Sequence, residues 1–484
     1  MSRSIVGLAF LLSLGAALAS PPVIEAQAQV GRQATEALVF PELDFRPPEP
    51  DEHDVEGVSV LTLEDHTLPL VTIYVRFTGG YARFGRELYA AGTALPSLLR
   101  FGGTAQLTPD SVDKALEYYA FQTSFGTGGG SISISLNTLV EHLPSGLDLL
   151  AAMLTEPAFD PMEVEVWRGR QVESVARRGD DPGRLAFSEF NHLLYGDHPI
   201  GWEMDLADLD PANLSLERFR EVHGRVVCRD NLILGLTGDL VWADIESLVD
   251  SFVKRVPPCA EPLPPSPIPT IRDEPGVYLI EKDLEQSVIV MAHATDLRLA
   301  AEPSYYAATI GNSILGGGGF SSRILARVRT EEGFAYSASS LWTIPREYDG
   351  LLGAITRTRP ENTVPAVEVI LRTMEELRVG APDPGEIRTA VDRIVNGFVF
   401  NFDTPGQIVS RTMFYLAQDL PTDWLERYVE GVQSVTPASV LEAFSRHLRP
   451  DEMMILIVGD PDRIGREALS SLGPLTVLEI PVGR

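Results

Sequence analysis

The feature that most constrains this chain is an internal repeat. Asp160-Pro161-Met162-Glu163-Val164 returns 223 residues later as Asp383-Pro384-Gly385-Glu386-Ile387, each opening a helix behind an apolar helical stretch that carries Met153 or Met374. A strand ending in Thr237-Gly238-Asp239 returns 221 residues later as Val458-Gly459-Asp460. Two matches at nearly one spacing imply one supersecondary unit used twice. Apolar strands followed by pairs of long helices hide their apolar sides by laying helices on a sheet. The expected fold is α+β: a duplicated α/β unit, each repeat a mainly antiparallel sheet covered on one face by helices.

Residues 257–275 separate the copies. Eight prolines in that stretch favour a stiff, extended, unpaired connector. This leaves residues 57–256 as the first domain and 276–484 as the second. Within the first, residues 58–63 and 70–77 read as a hairpin of β-branched strands. Residues 89–100 read as a buried helix interrupted at Pro96. Residues 110–121, 140–154, 161–178 and 242–256 carry helical patterns, and residues 131–136 and 231–238 carry strand patterns.

Upstream, Met1 to Arg3 precede an apolar run over residues 5–18 and the small-residue site Ala17-Leu18-Ala19; Ala26-Gln27-Ala28 is a second candidate. This reads as a secretory signal peptide over residues 1–19, followed by a proline- and acid-rich extended arm over residues 20–56. No later run reaches about 18 apolar residues, so no membrane span is expected, and the location expected is periplasmic or secreted. Cys228 and Cys259 flank a strand and its return helix, which brings them together for a disulfide in an oxidising compartment. The formal charge of −29 repels phosphate backbones and excludes nucleic acid as a partner.

Chemistry concentrates in residues 314–336, ILGGGGFSSRILARVRTEEGFAY. Gly316 to Gly319 suit a tight turn or a close approach of another chain. Ser321 or Ser322 is placed to cap a short helix with Ile324, Leu325 and Val328 on one face, Gly333 to stop it, and residues 334–337 to continue as a strand. Arg329 falls at the edge of the apolar stripe, where packing would hold it with its guanidinium toward a cavity. Glycine-loop chemistry leaves two readings open, plain turn formation or a phosphate site. No Gly-Lys-Ser/Thr follows, so the run is not a P-loop.

Over about residues 57–465 the chain resembles the pitrilysin- or insulinase-type metallopeptidases, particularly the processing-peptidase branch, whose clamshells are built from two subunits. Residues 314–336 are similar to the family's LGGG-x-SRL…RE-x-x-G-L-x-Y segment. Phe101-Gly102-Gly103-Thr104, Asp180-Asp181-Pro182 and Gly196-Asp197-His198-Pro199-Ile200-Gly201 follow its N-terminal half in order. In that family an H-x-x-E-H helix and a distal glutamate hold zinc. Counted back from residues 101–104, the motif positions here hold Ala94, Ser97 and Leu98, and the distal position falls near Ser174 beside Glu173.

The resemblance therefore implies half of a clamshell with no metal or cofactor of its own. Arg329 and Tyr336 match the arginine and tyrosine that the family presents to substrate. The implied function is the zinc-free subunit of a heteromeric peptidase, inactive alone. Its expected partners are a homologous H-x-x-E-H subunit carrying zinc and a peptide or unfolded polypeptide, bound as an added strand on a sheet edge; Gly128-Gly129-Gly130 would leave room there. The alternative is a non-catalytic structural or peptide-binding subunit of a larger complex.

Overall fold

The computed structural model describes residues 47–421 and 423–480, and in it the two copies form two six-stranded sheets on one plan. The first copy contributes β1 Asp51–Val55, β2 Val58–Glu64, β3 Leu70–Thr78, β4 Gln122–Gly128, β5 Ser131–Leu139 and β6 Leu232–Gly238. The second contributes β7 Gly276–Glu281, β8 Ser287–Thr295, β9 Ala338–Thr343, β10 Gly350–Thr358, β11 Met454–Gly459 and β12 Leu475–Val477. Their orders are β1-β2-β6-β3-β5-β4 and β12-β7-β11-β8-β10-β9. Outermost β1 and β12 apart, the two orders superpose strand for strand. β2 runs parallel to β6, and β7 parallel to β11 and β12, while the remaining pairs are antiparallel. The duplicated α+β fold is the observed one.

Helices of the first copy are α1 Tyr89–Phe101, α2 Pro109–Tyr118, α3 Leu143–Thr155, α4 Pro161–Ala176, α5 Pro182–Tyr195, α6 Leu216–Val226 and α7 Trp242–Arg255. Those of the second are α8 Pro303–Asn312, α9 Thr363–Val379, α10 Pro384–Phe398, α11 Pro405–Ala417, α12 Trp424–Gln433 and α13 Pro437–His447, single turns aside. The repeated Asp-Pro signal acts as a helix start in both places. Asp160 accepts from the Met162 N–H, and Asp383 forms a capping box with Glu386.

Alternation along the strands sorts residues between two faces. Ile73, Val75, Ile134 and Leu234 face the helices of the first copy, as Leu279, Ile289, Met291 and Ile457 face those of the second. The other face of each sheet is also partly covered, contrary to the one-faced covering expected. Leu185, Phe190 and Leu194 of α5 pack on Val288, Val290 and Leu456 of the second sheet. Reciprocally, Val409 and Met413 of α11 pack on Leu61 and Ile233 of the first. Pro182 and Pro405, which open these helices, are again 223 positions apart. Gly235 permits this approach: a Cβ there would lie 2.5 Å from Val409 Cγ1. Strands β8 and β11 are consequently buried along nearly their whole length, and they read as continuous apolar runs.

Three further expectations are corrected. β2 and β3 are not a hairpin, because β6 lies between them and pairs with both; apolar alternation identifies a strand but not its neighbour. Ordered structure begins before residue 57. β1 extends the first sheet, with His53 stacked on Trp242 at 3.9 Å between centroids and bonded to Thr62 Oγ1 at 2.9 Å. Helix α1 continues through Pro96, and Gly92 one turn earlier lets it lie close to Tyr81, whose Cβ would be 2.9 Å from a Cβ there. The proline-rich connector has no helix or strand over residues 257–275, and single hydrogen bonds hold it to the fold: Arg272 N–H donates to Leu194 O and Arg83 to Pro264 O. The described residues from 47 to 480 fall in one compact unit. The signal peptide of residues 1–19 and the arm as far as residue 46 lie outside the described residues.

Cys228 and Cys259 are bridged, as their flanking elements suggested. A bridge closing 31 residues restricts the unfolded chain by about 3–4 kcal/mol in the loop-entropy account.

One buried histidine makes stability depend on pH. His293 of β8 has no exposed surface; its Nδ1 faces Ala294 O at 2.7 Å and its Nε2 accepts from Arg449 N–H at 3.0 Å. Burial, aided by the Arg449 charge, brings its pKa down to about 4 from 6.5. The unfolded chain therefore binds this proton before the folded chain does, so folding stability declines as pH falls from 6.5 towards 4, by up to about 3 kcal/mol. Urea melts at pH 7 and pH 4.5, compared with those of His293→Gln, should show the wild type losing more. Equal losses would remove His293 as the cause.

Candidate functional site

The glycine-rich stretch is a chain of tight turns. After α8 the backbone widens into a π-turn at Ser313–Gly317, tightens at Gly319–Ser321, makes one α-turn at Arg323–Leu325 and widens again at Ala326–Glu331. Gly316 is required by packing, since a Cβ would lie 2.3 Å from the Ser340 nitrogen of β9. Gly319 and Gly333 take φ of 62° and 66°, where a side chain is strained. Ile324 and Val328 anchor the segment in the core, as the stripe implied. Ser322 occupies the cap position, but its hydroxyl donates back to Gly319 O at 2.7 Å rather than capping the turn.

Residues 334–337 do not form the expected strand. The Phe334 N–H closes onto Val328 O at 2.8 Å. The Phe334 and Ser337 carbonyls accept from the hydroxyls of Thr358 and Thr356, at 2.7 and 2.8 Å. Side chains of β10 thus take the place of strand pairing, and β9 starts only at Ala338.

This geometry brings Arg329 and Tyr336 together. The Arg329 guanidinium carbon lies 4.6 Å from the Tyr336 ring centroid and 4.9 Å from that of Phe320. Both rings are largely exposed, at 80% and 78%. Instead of reaching into a cavity, Arg329 is held beside these rings by cation–π attraction. Among the described residues it has no ion pair and no hydrogen bond, so its planar fork of donors is unused. Neighbouring arginines are engaged: Arg323 forms a bidentate pair with Glu386 at 2.7 and 2.8 Å, and Arg327 pairs with Glu376. Arg393 bridges Ser313 and Ser321, bracing the glycine turn that carries Phe320. Sequence reading missed Phe320 and Arg393. Phe320 stood within the quoted motif, whereas Arg393 lies 72 residues from Ser321 and had no local signal.

The zinc-motif positions do not fit a metal. Ala94 and Leu98 are buried aliphatic residues of α1, and Ser97 is half-buried on the same helix. At the distal position Ser174 accepts from Arg184 at 3.1 Å, and Glu173 is paired with Arg177 at 2.8 Å. Among the described residues no three His, Cys, Asp or Glu are grouped as metal ligands. His198 instead engages the backbone of Ile200 and Pro267. No helix is long and apolar enough to cross a membrane among the described residues.

Residues 213–394 match the family profile described as the peptidase M16 inactive domain. An uncharacterized zinc protease of Streptomyces coelicolor is 25% identical over 388 residues, covering 78% of this chain and 79% of that protein. A structure of a peptidase M16 inactive domain from Pseudomonas fluorescens superposes with a TM-score of 0.74 at 24% identity, covering 85% of this chain and 98% of that one. The periplasmic protease PqqL of Escherichia coli superposes at 0.71 and 13% identity, covering 91% of this chain but 51% of PqqL. Residues 213–394, which include the glycine-rich segment, are thus similar to the peptidase M16 inactive domain, and the fold is shared with that of a solved inactive domain over most of the chain.

Proposed function

We propose that this chain is the zinc-free subunit of a heteromeric peptidase, lending Arg329 and Tyr336 to a chamber completed by a homologous subunit that carries H-x-x-E-H and zinc. The observation that carries this reading is the pair itself: an arginine with no ion pair among the described residues, set against two exposed rings in a family-type segment. A guanidinium and a phenol both donate hydrogen bonds, and donors fixed before reaction stabilise the negative charge that develops on a scissile carbonyl oxygen. PqqL supports the half-chamber part, because nearly all of this chain matches only about half of PqqL. The free outer edge of β4, last in the first sheet, suits an added peptide strand. Its Gly128–Gly130 turn is tied to Gly79 and Ala82 by backbone hydrogen bonds, with open space beside Gly128 and Gly130. The Cys228–Cys259 bridge and the description of PqqL as periplasmic favour export, in keeping with the leader-like residues 1–19.

The second reading, a structural or peptide-binding subunit, is favoured by the inactive-domain description. One experiment separates the two. The chain is purified alone and together with an H-x-x-E-H relative from the same genome, and cleavage of an unfolded peptide is assayed. Turnover is expected only in the mixture. Cleavage by the isolated chain, or an equally active relative without it, would sink the proposal.

A further inference from the structure

A second site lies on the far side of the same sheet. Gly316 packs against Ser340, but the next residue along β9, Leu341, faces the opposite way, towards α5. There a cavity of about 410 Å³ opens between α5 of the first copy and β9 and β10 of the second. Its wall includes Phe187, Phe190, Tyr195, Leu341, Tyr348 and Leu351, and among the described residues no charged side chain lines it, although the chain has a net charge of −29. Phe187, 37% exposed, is the most accessible of these aromatic residues, while Tyr195 is 7% exposed. The Tyr195 hydroxyl has no hydrogen-bond partner among the described residues. Its oxygen is not sealed off in the core, so the polar tip of a ligand in the cavity can reach and bond it. Cavities of this size, mostly apolar with few polar groups, suit small molecules or single side chains.

We propose that this cavity binds an uncharged aromatic ring with a polar tip, a phenol or a compound like it, whose tip bonds the Tyr195 hydroxyl. The absent wall charges disfavour an ionic ligand, the aromatic wall favours a flat ring, and the unpartnered hydroxyl selects a ring that carries a donor or acceptor. The site joins the two copies, so its occupant touches α5 and the second sheet together. It is independent of the role proposed for Arg329.

Titration of the purified full chain with 2-naphthol and with naphthalene, by calorimetry or protein fluorescence, tests this. Saturable one-to-one binding of 2-naphthol is expected. Leu341→Trp, which fills the cavity, should weaken it at least about tenfold, in line with lost apolar burial and steric exclusion. Tyr195→Phe should weaken 2-naphthol about 3- to 10-fold, the effect of one hydrogen bond, and leave naphthalene within about twofold. In competition, displacement of 2-naphthol by the capped peptide acetyl-Gly-Tyr-Gly-amide assigns the site to a tyrosyl side chain of a polypeptide. Persistence of bound 2-naphthol assigns it to a free phenolic compound. No saturable 2-naphthol binding to the wild type, or no change in the 2-naphthol to naphthalene ratio in Tyr195→Phe, overturns the proposal even if Leu341→Trp fails to fold.

Discussion

In the reconstituted pair, Arg329→Ala is expected to lower kcat by about 10²- to 10³-fold, and Tyr336→Phe by a similar factor, the cost of removing one oxyanion donor. The loss should fall mainly on kcat, because a donor that acts on developing charge binds the transition state better than the substrate. Folding should hardly change. Among the described residues Arg329 has no ion pair to lose, and cation–π contacts at exposed rings are worth about 0.5–1 kcal/mol each. Arg329→Lys should not restore the rate, since an ammonium lacks the planar fork. Rapid-mixing measurement of kcat, with thermal melts and assembly with the partner as controls, gives the answer. Variants that assemble and turn over at the wild-type rate would favour the structural-subunit reading.

The largest effect on stability is expected at the exchanged helices. Phe190 of α5 is 1% exposed and belongs to the cluster that joins α5 to Val288, Val290 and Leu456 of the other copy. Phe190→Ala leaves a cavity in that junction and should cost about 3–5 kcal/mol. Urea unfolding followed by tryptophan fluorescence should show the midpoint falling, and the transition broadening or splitting as the copies uncouple. Val409→Ala on α11, the reciprocal position, should act in the same direction with a smaller loss. A loss at Phe190 below about 1 kcal/mol would mean that each copy is held by its own core alone.

Much of this architecture was legible in the chain. The Asp160 and Asp383 helix starts are local chemistry, a carboxylate beside a proline, and they appear where the sequence placed them. The Arg329–Tyr336 spacing likewise marked a segment that the fold brings into contact. What escaped depends on distant residues. The insertion of β6 between β2 and β3 joins segments more than 150 residues apart. The tethering of residues 334–337 by Thr356 and Thr358 replaces a strand that local propensity favours. The exchange of α5 and α11 left a faint trace, the same 223-residue offset at Pro182 and Pro405, but neither helix's pattern says which sheet it will cover.

That exchange also sets an order of events for the newborn chain. The first sheet is finished in sequence at Gly238, yet the helix that seals its second face lies at Pro405–Ala417. Until those residues are available, Leu61 and Ile233 have no cover on that side. A chain completed in this way folds late, through contacts of long sequence separation, and exposes apolar strands while it waits. It should depend on holding factors during synthesis, and truncation anywhere before residue 417 should yield an aggregating first copy rather than a free-standing domain.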